Sequence, residues 1–244
     1  MKVKEKTIEE KYLSLSELDH VIMRSGMYIG SVKEEQKNMF IYDVDDAKIK
    51  LSEMSYTPGL LKLIDEVISN IADEYRRKDN MGLTHAELEF SRQGHFRIKD
   101  NGGIPVVKHK EAGCYLPEFI FGRLRTSSNY DDTEDRAVVG TNGVGAGLTN
   151  CFSKSYKVTT ADKKNKVTIE WENNMRDCID HGTPKPCSQH YTQTEFIVDF
   201  DKFNIKKKCF SDDFVNIIHK RCIDAAAANP GLTVHFQTNG YSQK

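Results

Sequence analysis

The chain has 244 residues, of which 38% are hydrophobic and 29% charged, and its formal net charge is −1. This length is enough to bury a hydrophobic core in one large domain or two small ones. The near-neutral balance excludes a global attraction to nucleic acid or to anionic lipid.

The N-terminal segment is charged throughout and has no apolar stretch typical of a secretory signal. No run approaches the roughly 18 apolar residues that a membrane span needs. The six cysteines include no Cys-x-x-Cys pair, so we expect reduced thiols without a disulfide framework or a cysteine-based metal site. We therefore expect a soluble protein of the cytoplasm, nucleoid or nucleus that is not secreted and has no membrane partner.

In the first half of the chain, hydrophobic periodicity predicts a short helix over 14–24 and a long helix over 58–77. The long helix has apolar residues at steps of three and four: Leu60, Leu63, Ile64, Val67, Ile68, Ile71 and Tyr75. Strands are predicted at 86–90 and 96–99. Residues 104–150 are punctuated by glycine and too long for an ordinary connection, which suggests a lid.

The second half of the chain is dominated by strand signals. Alternating hydrophobicity predicts strands at 155–160, 167–171, 194–200 and 233–237. A last helix over 211–228 is expected to end at Asn229-Pro230-Gly231. Helices that bracket runs of consecutive strands favour an α+β fold, with helices on one face of a mixed sheet in two layers.

Three polar residues border the apolar stripe of the long predicted helix. Glu66 and Asn70 are one turn apart, about 6 Å on the same face, and Asp73 lies beside them. A carboxylate against an apolar wall can act as a general base, and an amide oxygen can ligate Mg²⁺. The alternative is a helix whose rim simply carries polar residues.

A second candidate follows the strand at 96–99. Asp100 ends this strand where Gly102 and Gly103 let the backbone turn. A carboxylate there can accept a hydrogen bond from an exocyclic amine, which would select adenine. A plain surface turn is the alternative interpretation of this Asp-Asn-Gly-Gly sequence.

A glycine-rich run occupies 140–147 and precedes an apolar segment in which a helix could begin at Leu148. Its unobstructed amides could wrap phosphates. The run is not a Walker A loop, because no Lys-Ser/Thr follows it, and it does not fit the dinucleotide-binding fingerprint. A flexible loop is the alternative, but the three segments together predict a nucleotide site with a base, a metal ligand, an adenine contact and a phosphate clamp.

The sequence resembles the ATPase domain of type II DNA topoisomerases, within the GHKL (Bergerat) superfamily, and is closer to the eukaryotic, viral and phage enzymes than to bacterial gyrase. The resemblance is carried by the segments Leu18–Val32, Leu63–Asp73, Gly102–Val106, Tyr115–Asp132 and Gly140–Ser153. Two of them are the most specific, namely Tyr115–Asp132 and Gly140–Ser153.

The resemblance implies a role for each matching residue. Glu66 would be the catalytic base, Asn70 the Mg²⁺ ligand, and Asp100 the adenine contact, with Asp73 on the same helix. Further nucleotide contacts are implied for Ile104, Pro105, Ser127, Ser128, Asn129, Gly140, Thr141, Asn142, Gly143, Val144, Gly145, Ala146 and Gly147. The cofactors implied are ATP and Mg²⁺.

The chain departs from the family pattern at two places. The Asp100–Pro105 loop is one residue shorter than usual, and Gly147 stands where eukaryotic-type enzymes carry lysine. The first departure concerns loop geometry, and the second removes one positive charge beside the phosphates.

The resemblance also implies a domain plan and partners. Residues 1–244 would form one GHKL domain with a dimerisation arm over 1–30 and an ATP lid over 104–147, and the transducer and DNA-cleavage domains would lie outside this chain. ATP would drive homodimerisation through the arm, and the full-length enzyme would pass duplex DNA. The alternatives are another GHKL ATPase, chaperone-like or mismatch-repair-like, and a nucleotide-sensing module without catalysis.

Overall fold

A computed structural model describes residues 14–43, 46–77, 82–124, 145–238 and 241–243. The α-helices of these ranges are α1 Glu17–Met23, α2 Pro58–Arg76, α3 Leu116–Phe121, α4 Gly145–Cys151 and α5 Asp212–Ala228. The strands are β1 Glu35–Asp43, β2 Lys48–Tyr56, β3 His85–Phe90, β4 His95–Asp100, β5 Ser153–Asp162, β6 Asn165–Glu172, β7 Asp177–Asp180, β8 Lys185–Pro186, β9 His190–Val198, β10 Thr233–Thr238 and β11 Tyr241–Gln243. Two 3₁₀ turns occupy Ser25–Met27 and Phe200–Phe203.

Nine of these strands form one sheet, in the order β11-β10-β3-β4-β9-β5-β6-β7, with β8 paired to β6. The pair β10–β3 is parallel, while β3–β4, β4–β9, β5–β9 and β5–β6 are antiparallel. The mixed sheet predicted from the sequence is therefore confirmed.

The helices cover one face of this sheet. Burial along β3 alternates strictly, and its inward residue Leu88 shares one buried cluster with Leu63 of α2 and Ile218 of α5. The opposite face is polar and carries ion pairs such as Lys157–Glu170. The α+β architecture with helices on one face is confirmed.

Among the described helices, none combines the length and the apolar composition that crossing a bilayer requires.

Local sequence explains where the two long helices begin and end. Pro58 occupies the first turn of α2, where its missing N–H costs nothing. Ser211 caps α5 by accepting a hydrogen bond from the Phe214 amide at 3.2 Å. The C-terminal ends of the two helices are joined, because Tyr75 donates to the Pro230 carbonyl at 2.6 Å.

The hairpin β1–β2 was not predicted. Its strands are mostly polar and show no continuous alternation, so periodicity gives no signal. It packs on α5, burying Ile41 and Met54, and the Ser55 amide donates to the Asp213 carboxylate at 2.9 Å. The helix α3 and all but the last residue of α4 also lie within 104–150, where the sequence predicted a lid and a helix beginning only at Leu148.

Candidate functional site

The carboxylate of Glu66 lies against the backbone of Gly145. A Cβ atom added at Gly145 would be 1.9 Å from Glu66 Oε2, closer than any side chain can approach. Gly145 is the first residue of α4, so the structure brings the helix candidate and the described end of the glycine run into contact. The Glu66 side chain is 19% exposed, which leaves it shielded from bulk water but accessible.

The neighbours of Glu66 on α2 have different environments. Lys62, one turn earlier, forms an ion pair with the Glu66 carboxylate, a contact that the sequence interpretation missed. Glutamate following lysine by four residues is a detectable signal for such a pair. Asn70 is exposed one turn after Glu66, whereas Asp73 is buried.

Asp100 ends β4 as predicted, in a mostly buried position. Its Oδ1 accepts a hydrogen bond from the Gly102 amide at 2.8 Å. The pKa of Asp100 is raised from 3.8 to about 7, chiefly by burial; the hydrogen bond from Gly102 opposes this shift, and the negative charge of Glu74 contributes to it. The carboxyl group therefore titrates near neutrality.

Asn101 fixes the start of the loop that follows Asp100. Its side-chain oxygen accepts from the amides of Thr84 and His85 at 2.8 and 2.9 Å. Its carbonyl accepts a hydrogen bond from Nδ1 of His190 at 3.0 Å, which requires the proton on Nδ1. The Asn101 side chain therefore joins the turn after β4 to the start of β3.

The rest of the shortened loop is tied to β5. The Ile104 amide donates to Thr160 Oγ1 at 2.8 Å, and the Val106 amide donates to Asp162 Oδ2 at 2.9 Å. Gly103 precedes these two anchored residues at a point where a side chain has no room, since an added Cβ would be 2.3 Å from the Ala161 carbonyl. These β5 residues were not predicted, because nothing in their local sequence distinguishes them from other strand residues.

Pro105 and Ile104 are half-buried beside this anchored turn, and Ala146 is half-buried at the start of α4. Eight further predicted residues lie outside the described ranges: Ser127, Ser128, Asn129, Gly140, Thr141, Asn142, Gly143 and Val144.

Gly147 has a packing reason to lack a side chain. It is buried, and a Cβ there would be 2.7 Å from the Arg123 carbonyl and 3.3 Å from Leu124 Cδ2. The backbone after α3 thus occupies the place that a longer residue would need. The lysine that the family resemblance leads one to expect here would not fit the present packing.

Two surface hollows of the described chain lie away from Glu66. The larger, of about 280 Å³, is bordered by Phe90, Arg97 and Gln237. The other, of about 190 Å³, is bordered by Lys157, Glu170 and Glu195. Both are on the sheet, away from Glu66, and they do not locate the candidate site. That site is defined by the contact of Glu66 with Gly145.

The chain can be compared with known proteins. No protein-family model matches it. It is 34% identical over 229 residues to DNA topoisomerase 2 of Trypanosoma cruzi. This match spans 92% of this chain and 18% of that protein. It is 38% identical over 228 residues to DNA topoisomerase 2 of Acanthamoeba polyphaga mimivirus, spanning 91% of this chain and 18% of the relative.

The structure is similar to the crystal structure of the ATPase region of Saccharomyces cerevisiae topoisomerase II. The TM-score is 0.88 at 31% identity, and the match covers 98% of this chain and 63% of that one. The chain therefore spans less than a fifth of the two curated relatives and about two thirds of this solved region. The resemblance and the fold inferred from the sequence are confirmed.

Proposed function

We propose that this chain, which belongs to the type II DNA topoisomerases and corresponds to their ATPase region, binds ATP and hydrolyses it. The observation that carries the proposal is the approach of the Glu66 carboxylate to the side-chain-free backbone of Gly145. A phosphate group held by the glycine run would then lie next to a carboxylate able to polarise water.

Glu66 is proposed as the general base. Its position on α2, partly shielded and adjacent to Gly145, holds one oxygen towards the glycine run. The second oxygen pairs with Lys62, which restrains the carboxylate without removing its basic lone pairs. The attacking water would lose its proton to this carboxylate.

Asn70 is proposed as the protein ligand of Mg²⁺. An amide oxygen suits this hard cation, and the side chain is exposed one turn from Glu66, where room remains for a cation and its waters. When bound, the cation would neutralise negative charge on the phosphates. Asp73 is buried on the same helix and would support the site from within the core.

Asp100 is proposed to recognise adenine. Its carboxylate would accept a hydrogen bond from the exocyclic amine, and the anchored loop after it would keep Ile104 and Pro105 beside the base. The ribose and phosphate roles of Ser127, Ser128, Asn129 and 140–144 are proposed from the family resemblance.

We also propose ATP-dependent homodimerisation through the 1–30 arm and passage of duplex DNA by the full-length enzyme. In the described part of the arm, Leu15, Met23 and Met27 are exposed, and Met27 is 75% accessible. Large apolar side chains on a surface favour contact with a second protein surface. The lid over 104–147 stays a prediction.

The test combines binding and turnover. Calorimetric titration with a non-hydrolysable ATP analogue and Mg²⁺ should show binding to the wild type and to Glu66→Gln. Hydrolysis should fall at least about 100-fold in Glu66→Gln, because general-base catalysis contributes that much. Glu53→Gln, on the exposed hairpin, is the matched control.

Unchanged turnover in Glu66→Gln would overturn the assignment of Glu66 as the base. Binding of the analogue by a wild type that hydrolyses no ATP would favour a nucleotide sensor without catalysis. A different measurement distinguishes a type II topoisomerase from another GHKL ATPase. Turnover of the longer protein should increase with duplex DNA for a topoisomerase, and stay constant for a chaperone-like enzyme.

A further inference from the structure

Three metal-ligating side chains meet at the edge of the sheet, away from Glu66: Glu118, Cys178 and His181. Together with Cys114, four residues before Glu118 in the chain, they are here called the edge cluster. Cys178 lies on β7, the outermost strand, and His181 follows directly after it. Glu118 lies on α3. Cys178 and His181 are separated by two residues, a spacing that the expectation of isolated thiols overlooked.

The ligand atoms of three members converge on one point. Nδ1 of His181 is 2.8 Å from Glu118 Oε1 and 3.4 Å from Cys178 Sγ. The three ligand atoms all lie within 4.8 Å of one another. The Cys114 thiol is not within this distance of all three, so its side chain would rotate to join them.

These separations are close to those of a tetrahedral zinc site. Zn–N, Zn–O and Zn–S bonds of about 2.0–2.3 Å place the ligand atoms roughly 3.3–3.6 Å apart. The separation of 3.4 Å between Cys178 and His181 already matches, and that of 2.8 Å between His181 and Glu118 would open by roughly half an ångström. Side-chain rotation alone supplies a change of this size.

The backbone that carries His181 is fixed by its neighbours. The Gly182 amide donates to Asp180 Oδ1 at 2.8 Å, and Gly182 has a φ of +73°. An added Cβ at Gly182 would be 2.5 Å from the Thr168 carbonyl, so the turn is packed against β6. Glu118 is also restrained, since its side chain is 16% exposed, whereas that of His181 is 70% exposed. The backbone at His181 and the Glu118 side chain are therefore restrained, and the exposed imidazole of His181 can rotate towards an ion.

The charges are compatible with a bound dication. Two thiolates and one carboxylate would give the complex with Zn²⁺ a net charge of −1, and the guanidinium of Arg123, which interacts with Cys114, would offset it. Sulfur, imidazole and carboxylate together suit zinc, while Mg²⁺ prefers oxygen alone.

We propose that the edge cluster binds one Zn²⁺ ion, with Cys178, His181 and Glu118 as ligands and Cys114 completing the tetrahedron. The ion would tie β7, the free edge of the sheet, to α3. This inference does not rest on the proposed ATPase activity, because its residues and its metal differ from those of the nucleotide site.

The test titrates the purified, reduced and metal-free chain with Zn²⁺ against a chromophoric chelator, in the absence of nucleotide. One equivalent should bind, and Co²⁺ in its place should give the intense visible bands of a tetrahedral site with a thiolate charge-transfer band. Cys178→Ser and His181→Asn should each weaken Zn²⁺ binding by about 100-fold, the effect of losing one of four ligands. Saturating Zn²⁺ should raise the Tm of the wild type by about 5 °C.

Cys187→Ser is the matched control, because Cys187 is also a partly exposed free cysteine and lies outside the cluster. It should bind Zn²⁺ as the wild type does. The variants must keep the wild-type Tm without metal, so that loss of binding is not loss of folding. A wild type that binds no Zn²⁺, or whose binding is unchanged by Cys178→Ser and His181→Asn, would show that the cluster is only a hydrogen-bonded surface group.

Discussion

Two glycine-containing segments border the proposed nucleotide site, and the glycines serve opposite purposes in them. In the loop after β4, Gly103 is enclosed by the Ala161 carbonyl and the His190 ring. At the start of α4, the atoms nearest to a Cβ added at Gly145 all belong to the Glu66 side chain. The first glycine allows backbone to pack on backbone, and the second keeps space for a functional carboxylate. The first should therefore matter for stability and the second for chemistry.

The largest effect is expected for Gly103→Ala. The new methyl group would be 2.3 Å from a backbone carbonyl that is itself held in β5, so neither partner can move cheaply. We expect a loss of about 4 kcal/mol or more in the free energy of unfolding, measured by urea denaturation. Gly26→Ala, where nothing lies within 4 Å, is the control and should change little. Equal stabilities of the two variants would contradict the packing role.

The next largest effect is expected in the pH dependence of the free energy of unfolding, to which Asp100 contributes. Its pKa is raised from 3.8 to about 7 by burial, so the folded state holds a proton that the unfolded state has released. The stability that Asp100 contributes is therefore full below pH 3.8 and is lost as pH rises towards about 7. At about 1.4 kcal/mol per pKa unit, the loss is at most about 4 kcal/mol.

Asp100→Asn should remove this dependence, because the amide does not ionise and retains an acceptor for the Gly102 amide. Between pH 4 and 8, the free energy of unfolding of the wild type should fall relative to that of the variant as the pH rises. Binding of the ATP analogue by the wild type should strengthen as the carboxylate forms near pH 7. If the free energies of unfolding of the two proteins change with pH in the same way, the pKa of Asp100 is not raised in the folded state.

A smaller effect is expected for Gly145→Ala. The methyl group would displace the Glu66 carboxylate, which is flexible, while the helix itself tolerates alanine well. We expect hydrolysis to fall by about 10-fold, equivalent to about 1.4 kcal/mol in the barrier, with a stability change below about 1 kcal/mol. A variant that loses stability but keeps its turnover would reverse the roles assigned to the two segments.

The smallest effect is expected for Lys62→Ala. The lysine side chain is 48% exposed, and exposed pairs within a helix contribute about 0.5 kcal/mol or less. If packing against Gly145 positions Glu66, hydrolysis should change only a few-fold. A loss as large as that of Glu66→Gln would mean that the ion pair, and not the glycine, holds the base.

Several elements followed from the sequence alone. The stripe from Leu60 to Tyr75 predicted α2 to within a residue or so, because a helix with one buried face needs that period. The pattern of 211–228 and its Asn229-Pro230-Gly231 stop predicted α5 equally well. The hairpin β1–β2 could not be predicted, because its polar strands are stabilised by contacts with α5 that lie far along the chain.

By itself, the sequence determined the long helices, the central strands and the segments that carry the family resemblance, because these depend on local periodicity and on residue types at short spacing. The tertiary structure decided which residues meet. It placed Gly145 against Glu66, tied Ile104 to Thr160, raised the pKa of Asp100 by burial, and joined Glu118 to His181 across 63 positions. Distance, burial and local charge arise only when remote segments pack together, and for this reason no local pattern could state them.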